Sequence, residues 1–235
     1  MPASNNTRRA VRKKPRPAAR SKRREGPEEP LKREQIVSTA LALVDRNGLK
    51  ALSMRRLGAE LGVDPMAVYY HIPNKQALLD AIVEAVMAGI DLSVDNPAAP
   101  PEERILCAAR AYRDTMLAHI KALPILLAHG PATPAAMRPV ERLIAILRDA
   151  GLPPAQAFAG MQVIAAMVRG AVGMGMEATK PPHPEQTEAT LRLLPPSEFP
   201  NLMESIPFAG EFFEHGFEFG IRALARGLLA VTKNS

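Results

Sequence analysis

The chain has 235 residues, 47% of them apolar, with a single cysteine, no tryptophan and a formal net charge of +6. That is enough for one large or two modest folded domains, and the lone Cys107 excludes an internal disulfide framework or a multi-cysteine zinc site. The arginine-rich start lacks the apolar run of a secretory leader, and the apolar helical stretch 157–168 is too short to cross a bilayer and contains Gln162, so a cytoplasmic protein without membrane association is expected.

Residues 1–30 carry ten basic side chains against three glutamates, which leaves the other 205 residues close to neutral. Proline, serine and alanine fill the gaps, so the segment has almost nothing to bury and is expected to be a disordered basic arm. Two readings fit it: a solubilising tail, or a cationic arm that binds phosphates without reading sequence.

Helical periodicity begins at Leu31. Ile36, Val37, Ala40, Leu41 and Val44 form one stripe of a first helix over 32–47, and Asn47-Gly48 supplies a left-handed exit. Ser53 caps a second helix, 53–61, with Leu57 and Leu61 facing inward and Gly62 providing a tight turn. Asp64 caps a very short third helix, 65–71, that starts on Pro65. A fourth helix follows Pro73-Asn74 to about residue 91, with Leu78, Leu79, Ile82, Val83 and Val86 on one face. Two short helices joined by a glycine turn and flanked by longer supports make a helix-turn-helix.

The third helix is too short to bury a stripe of its own, so most of its side chains remain available for contacts outside the chain. Two of the three tyrosines in the chain stand there, in VDPMAVYYHIPNK. Pro65, Met66 and Ala67 lead the helix and can offer only apolar contacts, such as one to a thymine methyl. Tyr69, Tyr70, His71 and Lys75 come later and suit the DNA backbone, and Arg55 can reach a phosphate or a guanine edge. Packing of one tyrosine against the first helix is the competing reading.

Further helices are expected over 101–119 (with Ile105, Leu106, Ala109, Tyr112 and Met116 on one face), 122–129, 135–150, 154–177 and 208–232. The 154–177 helix is small and apolar almost all round, so it should be covered on more than one side. Ala159, Val163, Ala166, Gly170 and Gly173 form a row on it that permits close approach of another helix. Residues 178–207 are rich in proline and read as a mobile loop with short helical pieces. The final helix carries Phe212, Phe213, Phe217 and Phe219, then Leu224, Leu228 and Leu229, and needs a surface to bury them.

The stretch GLKALSMRRLGAELGVDPMAVYYHIPNKQALLDAI, residues 48–82, resembles the DNA-binding domain of TetR/AcrR-family transcriptional regulators, and within them the tetracycline-repressor class. The likeness covers about 32–92. It implies an all-α fold, with a helix-turn-helix DNA-binding domain over 31–92 and a helical effector-binding and dimerisation domain over 93–235. In that family the positions of Arg55, Pro65, Met66, Ala67, Tyr69, Tyr70, His71 and Lys75 face DNA, with Ser53 as the small cap beside them. Met66 and Ala67 carry no hydrogen-bonding side chain, a departure that makes reading there a matter of van der Waals contact. The resemblance also implies a homodimer through the helices near 154–177 and 208–232. One helix-turn-helix makes too few base contacts to select a site in a genome, and a two-fold dimer doubles them on a palindrome.

The implied partners are therefore a double-stranded DNA operator and a small-molecule effector. Phe158, Met161, Met167, Met174 and Met176, with Tyr112 and Met116, are the candidate lining of an adaptable apolar cavity, joined by Gln162. His119 and His129 are candidate polar anchors. His129 falls near the position where tetracycline repressors hold a histidine that binds the metal–drug complex. One turn after Gly170, however, this chain has Met174 where those repressors place an acidic residue, and Glu177 follows three positions late. No metal site and no cofactor are expected. Arg169 stands alone in its apolar helix, with three readings open: a glutamate partner across the dimer, an anchor for an acidic effector, or a side chain facing solvent.

The mechanism this implies is a population shift, in which effector binding tilts the fourth helix and changes the spacing of the two recognition helices. The expected molecule is a repressor in the bacterial cytoplasm, at the nucleoid, that its ligand releases; a ligand-dependent activator is the alternative within the family. An enzyme is not expected: His-Glu-x-x-His, a glycine-rich phosphate loop and a G-x-S-x-G elbow are all missing from the sequence. A sequence-tolerant DNA-binding protein dominated by the basic arm is the competing class.

Overall fold

The computed structural model describes residues 30–93, 95–130, 132–178, 192–206 and 212–231, the side chains of 175–178 and 212–215 excepted. The basic arm, the greater part of the proline-rich segment, and the side chains of Met176, Phe212 and Phe213 lie outside the described residues. Among those described, every regular element is helical: α1 Arg33–Asn47, α2 Met54–Leu61, α3 Pro65–His71, α4 Lys75–Ala88, α5 Pro101–Ala118, α6 Leu123–Ala128, α7 Pro134–Asp149, α8 Pro154–Ala178, α9 Pro200–Ser205 and α10 Phe212–Val231.

The ends of the first four helices follow from their capping residues. Ser53 Oγ accepts from the Arg56 amide at 3.2 Å, Asp64 Oδ1 from Met66 at 2.8 Å and Asn74 Oδ1 from Ala77 at 2.9 Å. Each satisfies a donor that the first turn leaves open, worth about 1 kcal/mol apiece. Gly48 and Gly62 take the positive φ values, 78° and 72°, that end α1 and open the α2–α3 turn. Gly58 has a different duty. A Cβ there would lie 3.0 Å from the Val63 carbonyl oxygen and 3.1 Å from the Pro65 nitrogen, so only glycine lets α2 approach the start of α3 this closely.

Ile36, Val37, Ala40, Leu43 and Val44 of α1 close on Leu57, Val68, Leu78, Ile82 and Val86 in one continuous core. Leu43 belongs to that stripe, whereas Leu41 is half-buried at its edge. In the second half, α5 packs on α7, α8 and α10, and α7 packs on both α4 and α8. The packing of α4 on α7 joins the two halves. Polar ties reinforce the seam: His119 Nδ1 lies 2.9 Å from Asp45 Oδ2, Lys121 Nζ donates to the Arg46 carbonyl at 2.8 Å, and His129 Nδ1 lies 3.0 Å from Asp80 Oδ1.

Helix α8 is longer than the 157–168 stretch, and Pro154–Met174 is long and apolar enough by length and composition to cross a membrane. It is packed as a core helix instead. Ala157, Met161, Ile164, Val168 and Val172 are buried against α5, α7 and α10. Its Ala159, Val163, Ala166 and Gly170 row faces outward in the single chain. The aromatic residues of α10 divide in the same manner: Phe217 is buried beside Ile221 and Ala225, while Phe219 is 75% exposed.

Candidate nucleic-acid interface and effector cavity

Helix α3 is held by little more than Val68, fully buried, with Ile72 just beyond its end. Burying one valine contributes about 1.5–3 kcal/mol, and the Asp64 cap and Pro65 at the first helical position fix where the helix begins. The rest of its surface points away from the core. Tyr70 is 88% exposed, Met66 71% and Tyr69 41%, so neither tyrosine is packed into the core under α1. The Tyr70 and His71 rings meet edge to face, with centroids 5.3 Å apart.

Arg55 and Lys75 flank this helix and are exposed, and among the described residues neither has an ion-pair partner. The adjacent Arg56 is occupied, donating to Asn47 Oδ1 at 3.2 Å. Ser53 sits at the same end of α2 with its hydroxyl committed to the cap. Arg55, Met66, Tyr69, Tyr70 and Lys75 are thus all exposed on the helix-turn-helix, and Pro65, Ala67 and His71 are half-buried.

A second feature lies in the other half. A cavity of about 280 Å³ opens between α4, α5, α7 and α8, a size at the lower end of the range for small-molecule sites. Helix α4 and the turn after it contribute Met87, Ile90 and Leu92; α5 contributes Ala108 and Tyr112; α7 contributes Met137, Pro139, Val140 and Leu143. Phe158, Met161, Gln162, Ala165 and Arg169 come from α8. The lining is mostly apolar, with Tyr112, Gln162 and Arg169 as its polar side chains.

The expected lining is brought together in part. Tyr112, Phe158, Met161 and Gln162 are on the cavity wall. Met116 is instead a core residue, 1% exposed. His119 is held by Asp45 at the α1 seam, and His129 lies 3.0 Å from both Gln76 Nε2 and Asp80 Oδ1 on α4, so neither histidine reaches the cavity. Met167 turns toward Gly220 on α10, and Met174 is half-exposed on the outer face. The adaptable methionines of the wall are Met87 and Met137 beside Met161. Sequence reasoning missed the first two because it looked for the lining on α5 and α8 alone, although Met87 lies one residue beyond the Val86 stripe. Among the described residues, no three His, Cys, Asp or Glu side chains gather as a metal site.

An ionic cluster centred on the buried Asp95–Arg104 pair ties the segment after α4 to α5 and α7. Arg104 donates to both Asp95 oxygens, Nε–H at 2.9 Å and an Nη2 proton at 3.0 Å, and to Asp149 at 3.2 Å; Arg142 reaches Asp95 at 2.6 Å. The Asp95 and Arg104 side chains are 2% and 6% exposed. Hydrogen bonding from Arg104, then the charges of Arg104 and Arg142, hold the Asp95 carboxyl below its usual range against the opposing effect of burial.

An exposed recognition helix in one half and a separate apolar cavity touching its supporting helix in the other define a ligand-responsive DNA-binding regulator. The comparisons with known proteins agree. The chain belongs to the TetR family: residues 36–82 match the family model described as bacterial regulatory proteins, tetR family, and residues 96–232 match the tetracyclin repressor-like C-terminal domain. Among relatives, the class C tetracycline repressor of Escherichia coli is 30% identical over 202 residues, 84% of this chain and 90% of its own. The transcriptional repressor DrrR1 of Streptomyces coeruleorubidus is 31% identical over 150 residues, 62% of this chain and 54% of its own. Of solved structures, apo ActR from Streptomyces coelicolor superimposes with a TM-score of 0.79 at 30% identity, covering 88% of this chain and 98% of that one. ActR has also been solved in complex with actinorhodin, a structure that matches with a TM-score of 0.77. Members of this family are transcriptional regulators, not enzymes.

Proposed function

We propose that the chain acts as a homodimeric repressor that holds a palindromic operator and lets go when a small, largely hydrophobic effector enters the cavity. Residues 31–92 are the DNA reader in this account, residues 93–235 the effector and dimer domain, and residues 1–30 a cationic arm that adds affinity. Helix α3 enters the major groove. Pro65, Met66 and Ala67 meet apolar base features, Tyr69, Tyr70, His71 and Lys75 contact backbone and sugar, and Arg55 takes a phosphate or a guanine edge from beside the Ser53 cap.

The observation that carries this reading is that α4 takes part in both features. Asn74 and Lys75 at its start adjoin α3, and Met87 near its end is cavity wall. A ligand that fills the cavity presses on α4 and α7 together, and a change in their packing rotates the helix-turn-helix. Release requires the ligand to favour one arrangement over the other; tight binding to both shifts nothing. That ActR, a structural relative, has been solved in complex with actinorhodin supports a small-molecule effector for this chain. Dimerisation would use the outer row of α8 with Phe219 of α10, apolar surface that the single chain leaves uncovered. The protein would work in the cytoplasm, at the nucleoid.

Selection of bound duplexes from a randomised pool tests the reading. Recovery of one motif with two-fold symmetry and half-sites about one helical turn apart supports it. A pool with no enriched sequence would favour the sequence-tolerant alternative, and a symmetric motif bound only with ligand present would make the protein a ligand-dependent activator.

A further inference from the structure

We propose that the effector is an organic acid: an apolar body carrying a carboxylate or similar anionic group, which Arg169 holds. This rests on the cavity being the effector site and names the chemistry that the ligand must bring to it.

Phe158, Met161, Gln162, Ala165 and Arg169 fall at i, i+3, i+4, i+7 and i+11 on α8, one helical face, and all five line the cavity. Arg169 stands two turns beyond Gln162, about 10 Å along the axis. Its guanidinium stays charged at any physiological pH. Other arginines of this half have carboxylates: Arg104 has Asp95 and Asp149, Arg142 has Asp95, and Arg110 has Glu218. Among the described residues Arg169 has no such partner and no hydrogen bond, although it is half-buried.

Without a ligand, water can solvate that half-buried cation. A ligand that fills the cavity expels the water, and a neutral hydrocarbon would leave the guanidinium against apolar surface with nothing to accept its protons. An acid exchanges the lost water for a planar, two-pronged, charge-assisted pair. Gln162, two turns from Arg169 on α8, and Tyr112 on α5 offer neutral hydrogen bonds suited to a hydroxyl or carbonyl on the body of the molecule. The cavity therefore combines one cation with neutral hydrogen-bonding groups in an apolar wall, and it selects an amphipathic anion over a neutral ligand of the same shape.

The test uses two fluorescent probes that share a ring skeleton and differ by one acid group, 8-anilinonaphthalene-1-sulfonate and the neutral N-phenyl-1-naphthylamine, titrated into the full chain. The sulfonate should bind about tenfold or more tightly than the neutral probe, the scale of one charge-assisted contact. Arg169→Gln should bring the two together by weakening only the sulfonate, while Arg169→Lys keeps most of the preference. Gln162→Trp, placed at an exposed rim position where it does not strain the core, should weaken both probes by obstructing the cavity, with circular dichroism showing an intact fold. If Gln162→Trp weakens both probes but the acid preference is absent, or survives Arg169→Gln, the cavity stands and the acid anchor is wrong. If Gln162→Trp weakens neither, the cavity is not the binding site and both readings fall.

Discussion

At Gly58 the absence of a side chain, and at Asp95 a buried carboxylate, make testable demands on the fold. Alanine at 58 gains helix propensity of about 0.5–1 kcal/mol, but its Cβ would meet backbone atoms of Val63 and Pro65 at 3.0–3.2 Å. Backbone cannot swing aside as a flexible side chain can. Gly58→Ala is therefore expected to destabilise the fold by about 1–2 kcal/mol and to shift α3, lowering DNA affinity as well. A raised melting temperature with unchanged DNA binding would show that the α2–α3 contact yields. At Asp95, alanine would leave Arg104 buried with Asp149 as its remaining carboxylate, a loss expected at about 3 kcal/mol in urea unfolding. Because the folded Asp95 titrates below its unfolded value, its stabilisation is complete above an unfolded pKa near 4 and lost as pH falls through the folded value. Asp95→Asn should flatten the acid limb of the stability profile, and an unchanged limb would assign acid sensitivity to other carboxylates.

At the scale of helices, α8 and α10 carry the claim about assembly. Val163 is 48% exposed and Phe219 75%, and a Cβ at Gly170 or Gly173, on the same helix as Val163, would meet nothing within 4 Å. Phe219→Glu would place a charge at the centre of the proposed interface and should convert a dimer into monomers in sedimentation velocity, with loss of operator binding but an unchanged helical spectrum. A dimer that survives both Phe219→Glu and Val163→Glu would place the interface elsewhere. Elements were the most legible feature of the sequence, because caps and apolar spacing are local: α3 begins and ends at the expected residues, and the α2, α5, α7 and α8 boundaries fall within one residue of expectation. The cavity was less legible. Its wall combines four helices whose mutual rotation depends on long-range packing, so spacing along α4 and α7 does not single out Met87, Met137 and Leu143 as lining, and Tyr112 and Met116 share one stripe of α5 although only Tyr112 reaches the cavity. His119 and His129 fit the pattern of polar anchors in the sequence, yet Asp45 and Asp80 on other helices claim them.

For the whole molecule, affinity and choice are expected to reside in different segments. In the proposed function the ten cations of residues 1–30 would supply sequence-independent attraction and the exposed face of α3 would supply selection. Deleting residues 1–30 should lower the slope of log affinity against log salt by several units while the ratio of operator to scrambled affinity changes little. Specificity that vanished with the arm would overturn that division of labour. In the proposed function, ligand response adds a second coupling, from the cavity through α4 to α3.

The most direct test is fluorescence-anisotropy titration of the full chain, at physiological salt, against a duplex from the region upstream of its own gene and against a scrambled duplex of equal length. The account predicts a preference of about a hundredfold or more, lost in Tyr70→Ala and in Arg55→Ala without loss of thermal stability, since both side chains are exposed. Equal affinity for a duplex carrying the selected motif and for the scrambled one, persisting after removal of residues 1–30, would contradict it.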